Sequence, residues 1–115
     1  MTRTDRRQTA RYDMEIPLTI RTMEKEDMPT HVALSSNVSA SGLYLATDLL
    51  LQVGAPVEIA MRMPAQVTGK PSREWLCRGQ VVRVEPEDLS NDKHRVGVSF
   101  QYYEVIEVAE EFSRN

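Results

Sequence analysis

A single cysteine, Cys77, excludes a disulfide within the chain and leaves a cytoplasmic setting as the expectation. No apolar run approaches the roughly 20 residues of a membrane-spanning helix, and the start has no signal-peptide core. The two histidines, His31 and His94, stand apart from each other and from Cys77, so no set of three or four converging ligands for zinc can be assembled. Glycine is scarce, and neither the phosphate-loop nor the dinucleotide-fold glycine pattern occurs. No Ser-His-Asp spacing or nucleophile elbow can be proposed. Aromatics make up 6% and the net charge is −3, which weighs against a small barrel that stacks RNA bases between basic strands. Nothing in the chain reads as an enzyme, and no cofactor or metal is expected.

What remains is a chain of 115 residues, 41% hydrophobic and 27% charged, enough for one modest core. Its charge is uneven. Residues 1–11 hold four arginines against one aspartate, and residues 104–115 hold four glutamates against one arginine. An acidic protein with a basic arm suits a small anionic ligand better than a long polyanion. Residues 1–14 lack apolar periodicity, which taken alone describes a solvated terminus.

Alternation then sets in. Ile16, Leu18 and Ile20 mark a first strand, with Pro17 at its start or on a sheet edge. Residues 30–36 read as a second strand with Val32 and Leu34 inward. Leu43 and Leu45 give a third, and Leu49-Leu50-Leu51 a connection across one barrel end. Val57, Ile59, Met61 and Met63 give a fourth, followed by a loop over residues 64–73. Trp75 to Val84 is a fifth strand whose apolar phase shifts, with Gly79 as a candidate bulge. Residues 86–93 turn, and Val96, Val98 and Phe100 form the sixth. From Tyr102 the period becomes helical, with Val105, Val108, Ala109 and Phe112 on one face. Six strands and frequent turns predict an all-β domain closed into a six-stranded antiparallel barrel with a short C-terminal α-helix. Trp75 and Tyr44 read as packing residues.

One stretch does not fit a packing role. Asn37-Val38-Ser39-Ala40-Ser41-Gly42 lies between two apolar segments, and on a strand Asn37, Ser39 and Ser41 would project from one face. An amide and two hydroxyls there can donate and accept hydrogen bonds, and Gly42 leaves room for a flat ligand. Upstream, Arg7-Gln8-Thr9-Ala10-Arg11 supplies two guanidinium groups.

Together the two stretches resemble the PilZ domain family, bacterial receptors for cyclic di-GMP. The family pattern is Arg-xxx-Arg followed about 20 to 30 residues later by (Asp/Asn)-x-Ser-xx-Gly. The resemblance runs from Arg6 to Gln101. It departs where many members carry a second glycine and this chain has Leu43, which begins an apolar alternation. The resemblance implies a receptor or adaptor that changes conformation with the second messenger and regulates an unidentified protein partner. It involves no DNA, RNA or membrane, and the chain is a monomer or homodimer. The alternative is a protein-interaction domain of the same fold that does not bind the nucleotide. The site it implies is Arg6, Arg7, Arg11, Asn37, Ser39, Ser41 and Gly42. Arg7 and Arg11 take guanine edges and phosphates, and Arg6 sits where the family sets ligand stoichiometry. Residues 1–14 are then a flexible arm carrying the arginines, and residues 15–115 the barrel with its helix.

Overall fold

The computed structural model describes residues 11–89 and 93–106. Arg6 and Arg7, Ser90-Asn91-Asp92 of the expected turn, and the chain from residue 107 onward lie outside them. Six strands follow one another: β1 Pro17–Thr22, β2 His31–Ser39, β3 Gly42–Thr47, β4 Pro56–Met63, β5 Arg73–Leu89 and β6 Lys93–Val105. All pairings are antiparallel, and the order β1-β2-β3-β6-β5-β4 closes on itself through β1 against β4. Within the loop expected over residues 64–73 there is one helical turn, α1 Ala65–Thr68, ended by Gly69 in the left-handed conformation. Among the described residues no helix is long and apolar enough to cross a membrane.

Alternation places the core where the period of two puts it. Leu18 and Ile20, Leu43 and Leu45, the four apolar residues of β4, and Val96 and Val98 all point inward and are buried. They meet as directly opposed pairs: Ile20 with Ile59, Val38 with Leu43, Leu45 with Val96 and Val81 with Val98. Each such side chain contributes about 1.5–3 kcal/mol through its burial. Leu51 closes one end while Leu50 beside it is exposed, and the His94 ring Nε2 hydrogen-bonds the Leu49 carbonyl at 3.0 Å to hold this connection.

Three elements differ from the sequence reading. In β2 the inward residues are Ala33 and Ser35, whereas Val32 is 78% exposed and Leu34 46%. The reason is a β-bulge. Ser35 opposes Leu45 and Asn37 opposes Tyr44, so Ser36 is an extra residue and the inward parity changes between Ser35 and Val38. In β5 and β6 there are three further irregularities. One lies between Glu85 and Leu89, where the turn expected from residue 86 gives way to β5 running on to Leu89. The remaining two lie deeper in the ladder. One leaves Val82 without an opposite residue on β6, and the other leaves Gln101 without one on β5, beside Gly79. Finally, Tyr102 to Val105 continue β6 rather than opening a helix. Tyr and Val suit a strand as well as a helix face, and here β5 supplies the partner. Trp75 opposes Val105, and its ring stacks on the diagonal neighbour Tyr103 with centroids 4.2 Å apart. The remaining positions of the expected helix, from Glu107 on, fall outside the described residues.

On the outer surface one carboxylate ties three strands together. Glu58 of β4 opposes Arg21 of β1 and Arg78 of β5, and accepts from both Nε atoms, at 2.8 and 2.9 Å. Burial alone would raise the Glu58 pKa, but the hydrogen bonds and charges of Arg78 and Arg21 outweigh it and hold the carboxyl below its ordinary value of 4.5. A carboxyl depressed in the folded state contributes stability that is complete above that value and lost as pH falls through the folded one. Thermal denaturation followed from neutral pH downward is therefore expected to show a stability loss on the acid side of 4.5, and Glu58→Gln is expected to flatten that slope. An unchanged slope would remove Glu58 from the account.

Candidate functional site

The polar stretch straddles a hairpin. Ser39 ends β2, Ala40 and Ser41 form the turn, and Gly42 begins β3 opposite Ser39. Asn37, Ser39 and Ser41 do come together, but by chain reversal rather than by alternation along one strand. Ser39 is buried, and its hydroxyl is engaged in the turn. Oγ accepts from the Ser41 amide, donates to the Gly42 carbonyl and lies against Ser41 Oγ, each at 3.2 Å. Ser39 thereby fixes the turn, while Ser41 is exposed and Asn37 half-buried.

Gly42 is required here by a neighbour rather than by its own dihedral angles. A Cβ at this position would collide with the carbonyl of Val98 on β6. The same close approach lets the Phe100 amide donate to the Ser41 carbonyl at 2.8 Å, tying the turn to β6. Leu43 points inward and is buried, so its difference from the family pattern lies on the core side of the sheet.

The segment before β1 runs back along β2 to this hairpin. Tyr12 and Val38 exchange both backbone hydrogen bonds at 2.9 Å. Buried Ser35 secures the stretch between. Its hydroxyl donates to the Met14 carbonyl at 2.6 Å and accepts from the Ile16 amide at 2.9 Å. This is a physical use for a serine at an inward position. Ser35→Ala leaves two backbone groups unpaired, and the expected cost is about 1–3 kcal/mol. Faster hydrogen exchange at the Ile16 amide, with the rest of the barrel protected, is the signature of that loss; uniform protection across the variant would count against it.

These anchors put Arg11 at the rim of an open cavity of about 200 Å3, with Asn37, Ser39, Ser41 and Gly42 on the same wall. Arg6 and Arg7, the other cationic positions expected at the site, fall outside the described residues. The other lining residues were not legible in the sequence. They include Tyr44 of β3, Val82 of β5, and Gly97 and Ser99 of β6. Tyr44 opposes both Asn37 and Gly97, and Val82 is turned outward by its bulge, 49% exposed. Arg83 and Arg95 stand on the same outer face, opposite Gly97 and Ala46, and share Glu85 at 3.5 and 3.8 Å. Arg11 is the cationic residue among the described lining residues of the cavity. A second hollow, about 410 Å3, lies by the β1–β2 turn among Arg21, Lys25, Glu24, Glu26 and Asp27, a lining of mixed charge.

Burial pushes the Cys77 thiol up to about 12, so it stays protonated and unreactive at neutral pH. Among the described residues no group of three His, Cys, Asp or Glu side chains converges as a metal site. A planar ligand with acceptor edges and negative charge suits what is present: a guanidinium, an amide, hydroxyls and an aromatic ring around one trough.

The PilZ domain family matches residues 5–111 of this chain. No curated protein matches it. Among solved structures, the inhibitor of motility MotI/DgrA of Bacillus subtilis superposes with a TM-score of 0.65 at 21% identity, over 98% of this chain and 48% of that one. This chain thus spans about half the length of that protein. The PilZ domain of CeSA from a cellulose-synthesizing bacterium superposes with a TM-score of 0.53 at 16% identity, over 91% of this chain and 90% of that one. At these identities the two structures speak for the fold. No catalytic family is indicated.

Proposed function

The chain belongs to the PilZ domain family, whose members are generally cyclic di-GMP receptors, and on that premise we propose that it binds cyclic di-GMP in the cavity beside the β2–β3 hairpin. One observation carries the proposal. Arg11 and the Asn37-to-Gly42 stretch, distant in sequence, line the same cavity because Tyr12 is hydrogen-bonded to Val38.

The chemistry follows from the residues. The O6 and N7 edge of guanine presents two acceptors to the planar fork of an arginine, and the same group pairs with a phosphodiester. Arg11 is placed for one such contact. Arg7, four residues earlier in the Arg-xxx-Arg pattern, supplies the second, and Arg6 adds charge beside it. Asn37 and the exposed Ser41 offer donors and acceptors to a base edge, on a turn that Ser39 and Gly42 hold in shape. Binding at Arg7 and Arg11 together draws the N-terminal arginines onto the barrel, and the ordering of that segment is the conformational signal passed to a protein partner.

Calorimetric titration with cyclic di-GMP, with GTP and a short RNA as controls, tests the reading. Saturable binding of the cyclic dinucleotide alone is the expected result. Absence of binding would leave the barrel as a protein-interaction domain, and tighter binding of RNA would overturn the ligand class altogether.

A further inference from the structure

Part of the cavity lining lies outside the motif, and no part of the Arg-xxx-Arg or Asn-x-Ser-xx-Gly pattern accounts for it. Tyr44 is the aromatic residue on it. The other described rings near β5 and β6 are otherwise engaged: Trp75 is buried against Tyr103, and Tyr102 lies beneath Arg78 and donates to Glu104. Tyr44 instead leans across β6 where a side chain is missing. Its Cζ and Cε2 lie 3.1 and 3.2 Å from where a Cβ on Gly97 would stand. Glycine at position 97 therefore makes room for the ring, and the strand beneath limits its freedom. On the neighbouring strand Asn37 is directly opposite Tyr44, so a polar group for a base edge and a ring for a base face are adjacent. Val82 adds an outward apolar side chain to the same hollow.

We infer that Tyr44, seated over Gly97, is the stacking surface for one guanine of the ligand and determines the preference of the site for a purine face. The inference rests on the cyclic di-GMP reading above and adds to it a residue outside the motif. A preformed ring on a strand orders little on binding, so its contribution is expected in the lifetime of the complex.

Three measurements test it together: affinity for cyclic di-GMP in the intact chain and in Tyr44→Leu and Tyr44→Phe, dissociation rates of the same three, and intermolecular NOEs between the Tyr44 ring protons and guanine H8. Tyr44→Leu keeps apolar bulk but loses the π face, and its expected loss of affinity is about ten- to hundredfold, carried by faster dissociation. Tyr44→Phe is expected to bind like the intact chain, because the hydroxyl is not the stacking group. Should the leucine variant fail to fold, the phenylalanine variant and the NOEs still decide. Normal binding by Tyr44→Leu, or no NOE in a saturated complex, overturns the stacking role and leaves the receptor reading intact. An intact chain that does not bind cyclic di-GMP overturns both.

Discussion

Arg11→Ala is expected to lower the affinity for cyclic di-GMP by about ten- to hundredfold, the value of one bidentate arginine contact to guanine, without disturbing the barrel. The expectation of a normal fold has a structural basis. The Arg11 side chain is exposed at the cavity rim, and what anchors its neighbourhood is backbone pairing at Tyr12 and the Ser35 hydroxyl. Arg11→Lys is expected to restore little, since a point charge cannot present two parallel donors to O6 and N7. Combining it with Arg7→Ala should leave no measurable binding. Calorimetry together with far-ultraviolet circular dichroism separates the outcomes. Wild-type affinity in Arg11→Ala removes the guanidinium from the site, and a lost β-sheet spectrum would show that residue 11 supports the fold instead.

The second large effect is expected at Gly42. An alanine there drives its Cβ into the Val98 carbonyl, and backbone on a paired strand cannot give way as a flexible side chain does. Separation of β3 from β6 beside the hairpin would cost on the order of 3 kcal/mol, read as a lower urea midpoint, and it would displace Ser41 from Phe100 at the same time. Gly97→Ala is the instructive contrast. The new methyl meets ring atoms of Tyr44, which can move, so the stability loss should be smaller than at Gly42. Equal midpoints for Gly42→Ala and the unaltered chain would mean that the β3–β6 contact relaxes freely.

Much of this molecule can be read from unbroken alternation. β4 shows four apolar residues in step, and the structure buries all four; β3 and the centre of β6 behave likewise. Parity fails where a strand carries one residue more than its partner. The phase shift between Val81 and Val82 announces the insertion in β5, whereas nothing in the identity of Ser36 announces the one in β2. Reading the apolar Val32 and Leu34 as inward fails because the inward positions are held by Ala33 and by a serine that binds backbone. The same limit applies to the site. Arg11 and the Asn37-to-Gly42 stretch carry a recognisable spacing, and the structure unites them. Tyr44, Val82 and Gly97 come from three strands and carry none, so only the register of β3, β6 and β5 could bring them together. Where Tyr102 to Val105 are concerned, a helical period extrapolated from four residues lost to the pairing that β5 offers.

The buried thiol has a practical consequence for the study of ligand-driven motion. Maleimides and similar reagents attack the thiolate, and at neutral pH Cys77 is neither ionised nor accessible, being 1% exposed with its pKa near 12. A cysteine introduced elsewhere would thus take up a fluorophore by itself, with no need to mutate the native one. A dye pair spanning the arginine segment and the far end of the barrel could follow the approach of one to the other as nucleotide is added.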